Sequence, residues 1–191
     1  MRKFPKRGEL PAIATRVPAM NSRLDYLFSR RSIRAYRQQD VADELVQDLL
    51  QAAMAAPSAV AKDPWAFVVV RNRGMLSRIA EGLPNGTMLR DAALGIIVCG
   101  DLQRAHDRQL SYLLQDCSAA IENLLLAANA LSLGACWLGV HPREERVQHI
   151  RSLLNIPDPV IPVAAIAIGW PAESPAPRTR YREDAVHHET W

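Results

Sequence analysis

The sequence predicts a mixed β-sheet wrapped by helices and built as one domain. Three observations carry that reading. Helix-period segments alternate with short, uninterrupted apolar runs of strand length. The 191 residues, 49% hydrophobic and 23% charged, suffice for a single domain with a real core. No internal repeat or low-complexity linker divides the chain after its first residues.

The elements follow in order. Residues 1–23 read as a basic arm, with Pro5, Pro11 and Pro18 and no long apolar stretch; residues 24–191 read as the folded domain. Asp40 is placed to cap a helix whose apolar stripe runs through Val41, Leu45, Leu49, Ala52 and Ala56, and Pro57 ends it. Phe67–Val70 reads as a buried strand, Met75–Glu81 as a short helix, and Gly82–Gly86 (GLPNG) as a turn. Leu94–Cys99 is a second buried strand. Ser111–Leu133 is the longest helical segment, with Leu114, Cys117, Ile121, Leu124, Leu125, Ala128 and Leu131 at three- and four-residue spacing, and Gly134 is expected to terminate it. Cys136–Val140 is a third apolar run. Pro142 opens the next helix, with Val147, Ile150 and Leu154 inward. Val160–Ile168 is a fourth strand, and its Pro162 belongs near a strand start or an edge.

Charge excludes one broad class. The net charge is +3, but residues 1–23 hold six basic side chains against Glu9, so the rest of the chain is at −2. The basic character therefore sits in the arm, and the domain has no aromatic–basic interleaving, which ranks nucleic-acid or anionic-surface binding lowest. No segment offers 18 apolar residues free of charge, so no membrane partner is expected. Cys99, Cys117 and Cys136 are odd in number and form no CxxC pair, and read as reduced thiols in a cytoplasmic protein.

The run RRSIRAY, Arg30–Tyr36, places Arg30, Arg31 and Arg34 around Ser32. Planar guanidinium forks suit phosphate oxygens. Arg178, Arg180 and Arg182 form a matching cluster near the other end of the chain, so two clusters are available to close on one anion. The competing reading is a solvated charged face. Other chemistries lack their signatures. No GxGxxG follows a strand, and Gly95–Gly100 has phosphate-loop spacing but Asp101 where Lys is required. No Ser/His/Asp or Cys/His pairing has nucleophile spacing, and the adjacent His187 and His188 with Glu189 lack a third His or Cys ligand, so no metal is expected.

RRSIRAY, the following helix, APSAVAKDPWAFVVV (Ala56–Val70), QDCSAAIENLLLAANALSLGACWLGV (Gln115–Val140), IAIGWPAE, RTRY and VHHETW together resemble the FMN-dependent nitroreductase family, in the expected order from about Asp25 to Trp191. The resemblance implies an α+β fold whose sheet is mostly antiparallel, in an intertwined homodimer with FMN at the subunit interface. It implies an FMN-dependent oxidoreductase that takes hydride from NADH or NADPH and reduces a nitroaromatic, quinone or similar small aromatic acceptor by ping-pong kinetics. By the same resemblance Arg30, Arg31 and Ser32 contact the FMN phosphate or ribityl chain, Arg180 closes on the phosphate and Arg178 assists. Arg34 lies near the flavin pyrimidine edge, where a fixed cation stabilises charge that develops on reduction; a salt bridge to Asp40 or Asp43 is its alternative. Pro57 and Ser58 approach the flavin from the partner subunit. Trp137, Leu138 and Gly139 run past the reactive face with a backbone N–H aimed at flavin N5, while core packing is the alternative for the side chains of Cys136 and Trp137. Arg34, Trp137 and Leu138 are the catalytic candidates. The family's turn reads PSxxNxQPW; here Ala61 and Asp63 stand at the Asn and Gln positions, which leaves a non-catalytic flavin-binding or redox-sensing dimer as the alternative function. Gly82–Leu89 is the candidate lid.

Overall fold

A computed structural model describes residues 21–191, so residues 1–20 of the basic arm lie outside the described residues. Asn21 opens the described chain by accepting a hydrogen bond from the Arg23 N–H, and a single 3-10 turn, Ser22–Leu24, leads into α1 (Asp25–Ser29). The remaining elements are α2 (Asp43–Met54), β1 (Trp65–Val70), α3 (Arg73–Glu81), β2 (Leu94–Asp101), α4 (Leu110–Ala130), β3 (Gly134–Gly139), α5 (Glu144–Leu154) and β4 (Val160–Gly169).

The strand order is β1-β2-β4-β3, and all three pairings are antiparallel. Among the described residues, parallel geometry is confined to one bridge, from Ser32 to Ala135 of β3. The two central strands are covered on both faces, which explains their unbroken apolar sequences. Ile96, Val98, Ala164, Ile166 and Ile168 point into a core shared with α2 and α4. Ile97, Cys99, Ala165 and Ala167 point into a second core shared with α3 and α5. The two-residue strand period thus feeds two helical layers from the same strands.

α2 buries Val46, Leu49 and Ala53, a stripe at three- and four-residue spacing, with Asp43 and Glu44 in its first turn where the helix dipole favours acids. Ala42, not Asp40, is its N-cap, and no side chain caps it. Arg71 instead braces this end, donating to Val41 O at 2.8 Å and to Asp43 at 2.6 Å. α4 spans 21 residues and buries Leu113, Cys117, Ala120, Ile121, Leu124, Leu125 and Ala128 against the sheet.

Two further expectations need correction. Gly134 is the first residue of β3 and not the helix stop; the left-handed residue after α4 is Ser132, at φ 61°. The glycine serves close packing, because a Cβ there would lie 2.7 Å from Ile33 Cγ2. Pro142 precedes α5 by two residues, so it leads into the helix without opening it, and Leu154 is only half-buried while Val147 and Ile150 are buried. Pro162 does sit near a strand start, third in the central strand β4, and it lies beside a bulge: Val98 pairs with Ala164 and Cys99 with Pro162, leaving Val163 extra. A residue without an N–H is tolerated where the ladder is already interrupted.

Candidate functional site

The segment after α1 runs extended along the outer edge of β3. Ile33 N–H donates to Ala135 O at 3.0 Å, and Arg37 N–H to Trp170 O at 2.8 Å. Ile33 and Tyr36 are buried in the second core, and the Tyr36 hydroxyl lies 2.7 Å from Ile33 O and 3.2 Å from Ala167 O. Burial pushes that hydroxyl's pKa well above its ordinary range, so it stays a neutral donor. Two apolar anchors therefore fix the backbone, while the arginines between and before them stay toward solvent.

The two basic clusters meet. Arg30, Arg31, Ser32 and Arg34 line one side of a cleft of about 440 Å³, and Arg178 and Arg180 from the C-terminal tail line the other. Glu173 holds the framework: its Oε1 accepts the N–H of Arg34 at 2.5 Å and of Ala35 at 3.2 Å. Arg31 Nη1 donates to Ala176 O at 2.9 Å and pins the tail beside the cleft. Arg30 lies 3.6 Å from Glu122. Arg34 makes no ion pair with Asp40 or Asp43; Asp43 is taken by Arg71. Arg182 turns away and pairs with Asp184 at 3.1 Å, so it does not line this cleft.

Arg34 also lines a second cleft, of about 510 Å³, whose wall is the outer edge of β3 from Cys136 to Gly139. Ala135 O faces outward, since it accepts from Ile33. The two-residue period of a strand then turns the N–H groups of Trp137 and Gly139 outward too, while Cys136 and Leu138 pair with β4. Gly139 O accepts from Arg146 Nη1 at 2.9 Å, which agrees with that direction. The Trp137 side chain is 37% exposed and Leu138 is buried. Open space lies within 4 Å of where a Gly139 Cβ would sit. Leu83, Pro84, Asn85, Thr87 and Met88 from the expected lid segment also line it. Cys136 borders this cleft, and burial pushes its thiol pKa up, against the pull of Arg34.

Pro57 and Ser58 line neither cleft of their own chain. Ser58 Oγ donates to Asp63 Oδ1 at 2.5 Å and accepts from the Asp63 N–H at 2.9 Å, closing the turn on itself. Val60, Ala61 and Asp63 all have left-handed φ, at 53°, 51° and 46°. Asp116, buried on α4, accepts the Ala59 N–H at 2.8 Å and fastens the turn to the core. Among the described residues, no group of three or more His, Cys, Asp or Glu side chains is placed to hold a metal.

The sequence reading missed Glu173 and Arg146. Glu173 follows Trp170–Pro171 within the quoted strand-end motif, and an acid facing an arginine-rich segment was its available signal. Arg146 carried none, since one arginine among Glu144 and Glu145 reads as an ordinary helix surface.

The family model described as the Nitroreductase family matches residues 27–83 and 76–170. A Methanothermobacter thermautotrophicus protein, provisionally named an NADH dehydrogenase/NAD(P)H nitroreductase, is 48% identical over 168 residues, covering 88% of this chain and 87% of that protein. A crystal structure of a protein given the same provisional name, from Parabacteroides distasonis, superposes with a TM-score of 0.84 at 37% identity, over 90% of this chain and 100% of that one. A Desulfovibrio desulfuricans protein, provisionally a nitroreductase and crystallised in complex with FMN, gives a TM-score of 0.77 at 33% identity over 90% of this chain and 99% of its own.

Proposed function

The chain belongs to the Nitroreductase family, and from that premise we propose that it is an FMN-dependent oxidoreductase that takes hydride from NADH or NADPH and passes electrons to a flat, electron-poor acceptor such as a nitroaromatic or quinone. One observation carries the proposal: the two arginine clusters, far apart in sequence, converge on a single cleft, and that cleft shares Arg34 with a second one bordered by outward backbone donors.

The residues suit the cofactor. Arg30, Arg31, Arg178 and Arg180 around the Ser32 hydroxyl would hold a phosphate dianion by charge-assisted bonds. The second cleft, with open space beside Gly139 and the N–H groups of Trp137 and Gly139 on its edge, would hold the flat ring. When bound, FMN supplies the redox chemistry, so that donor and acceptor use the same cleft in turn. Arg34, at the junction of the two clefts, would stabilise negative charge on the group held there. The Trp137 and Gly139 N–H groups orient the ring edge. The Gly82–Leu89 segment limits water and shapes the acceptor site.

We assign the active form as a homodimer in which the turn at Pro57 and Ser58 reaches the cleft of the other subunit. Two features support this. Pro57 and Ser58 line neither of these two clefts of their own chain, and Tyr26, Leu27, Met54, Leu110 and Tyr112 are large apolar side chains left exposed on α1, α2 and α4. The buried free thiols suit a reducing cytoplasmic setting.

Ala61 and Asp63 favour one other reading, a flavin-binding dimer without turnover, because the Asp63 carboxylate is committed to Ser58. The test is a visible spectrum of the FMN-reconstituted, desalted protein, before and after anaerobic NADPH and, separately, NADH. A flavin band that bleaches with either donor is the expected result. A band that persists with both points to the non-catalytic dimer, and absence of a band refutes FMN binding.

A further inference from the structure

The second cleft contains a cation that the flavin reading leaves without a role. Its lining holds Arg34 and Arg146 as its charged side chains and no carboxylate. Arg146 projects from the first turn of α5 and lines the cleft together with the lid residues Asn85 and Thr87. One of its nitrogens is committed: Nη1 donates to Gly139 O at 2.9 Å. Its Nε is enclosed and has no partner. No acid among the described residues pairs with it, and the neighbouring Glu144 gives its Oε1 to Gln148 at 2.6 Å. A neutral carbonyl orients a guanidinium without neutralising it. The group is thus fixed beside the strand edge where the visiting molecule must lie, with its charge uncompensated and Nη2 free to donate.

We propose that Arg146 is a specificity-determining residue that anchors an anionic oxygen group, a carboxylate or a phosphate, on the small molecule that exchanges in the second cleft. The inference rests on the oxidoreductase reading only in taking that molecule to be the electron acceptor or donor. Fastening Gly139 O alone would not require a residue that is always charged and planar; recognition of an anion by a fork of donors does. The cleft's two cations divide the work. Arg34 faces the phosphate cleft as well and serves the cofactor, whereas Arg146 lines the second cleft alone and serves the visitor.

The experiment uses FMN-loaded protein, wild type, Arg146→Gln and Arg146→Lys, with melting temperature and bound FMN checked for each. Calorimetry gives the Kd of 4-nitrobenzoate and of 4-nitrobenzamide for the oxidised protein, and kcat/KM is measured for both acceptors. A donor arm compares NADH with the uncharged 1-benzyl-1,4-dihydronicotinamide. The acid-over-amide preference is expected to fall about tenfold in Arg146→Gln, the size of one charge-assisted hydrogen bond, and to survive largely in Arg146→Lys. A fall confined to the donor arm assigns the anion to the nucleotide phosphates and also supports the proposal. Unchanged ratios in both arms for Arg146→Gln overturn it. A wild-type protein that prefers neither the carboxylate nor the phosphorylated donor overturns it without any variant. Failure of the flavin reading shows separately, as absence of the flavin band at the loading step, and the ratio of the two Kd values on the unloaded protein then reads Arg146.

Discussion

Substituting Gly134 by Ala tests whether packing beneath β3 sets the position of the arginine segment. The added methyl would meet Ile33 Cγ2 at 2.7 Å and Cβ at 2.8 Å, both closer than carbon contacts allow, and Cγ1 at a tight 3.1 Å. Ile33 is 8% exposed and tied to Ala135 O, so it cannot rotate into solvent without leaving the strand edge. Overpacking of this kind costs about 1–3 kcal/mol. Ile33→Ala alone should cost about 2–4 kcal/mol through lost burial and the cavity left behind. It also removes Cγ1 and Cγ2, the two closest obstacles apart from Cβ. The double variant should therefore be less destabilised than the sum of the two singles, by about 1 kcal/mol, a normal coupling for residues in contact. Urea unfolding of all four proteins gives the cycle. FMN affinity, measured by fluorescence quenching on the same proteins, should fall in Gly134→Ala because Ser32 and Arg34 flank the displaced residue. Additive destabilisation together with unchanged FMN affinity would refute the argument.

Other expectations follow from the same geometry. Arg34→Ala should lower the flavin reduction potential more than it weakens FMN binding, and a potentiometric titration with no shift would remove Arg34 from its redox role. Burial pushes the Cys99 and Cys117 thiols up to about 12 from an ordinary 9.0, so the folded state keeps protons that the unfolded chain releases. Stability from these groups is complete below about pH 9 and is lost as pH climbs toward 12; urea midpoints at pH 8 and pH 10 should show the fall, provided Cys99→Ala and Cys117→Ala variants reduce it. Val60, 70% exposed at φ 53°, is a branched residue in left-handed backbone. Val60→Asn should raise stability by about 1 kcal/mol, read as a higher melting temperature, and a lower one would contradict the strain argument.

Much of this fold is written in local patterns. Each strand core is an apolar run that stays apolar because β2 and β4 are covered on both faces, and the stripe through Leu49 announces α2. The ends were harder to read. Asp40 looks like a cap, yet its backbone carbonyl is used by the Trp170 ring N–H, at 3.0 Å, and α2 starts later. Gly134 looks like a helix stop, but its smallness answers to Ile33, about 100 residues away, and no window of sequence contains both. The arginines of the first cleft were visible by composition, and the tail's Arg182 was not separable from Arg178 and Arg180 because its partner, Asp184, decides its direction. Arg146 and Glu173 were hidden for the same reason: their meaning lies in which backbone groups they face across the fold.

The convergence of arginines from both ends of the chain makes the integrity of the C-terminal tail conditional. Like charges repel across the first cleft, and the tail's ties there are few, chiefly Arg31 to Ala176 O and Glu173 to the Arg34 and Ala35 N–H groups. An anion between the clusters reverses the sign of that interaction and joins the tail to the domain. By mass action, a ligand at a hundred times its Kd adds about 2.7 kcal/mol to the folded state. Trypsin cleaves after arginine, so the peptide bonds following Arg178 and Arg180 become a gauge of occupancy: intact when the cleft is filled, nicked when it is empty. Inside a cell the same coupling would tie the lifetime of the chain to the supply of its ligand, with starved molecules cleared first.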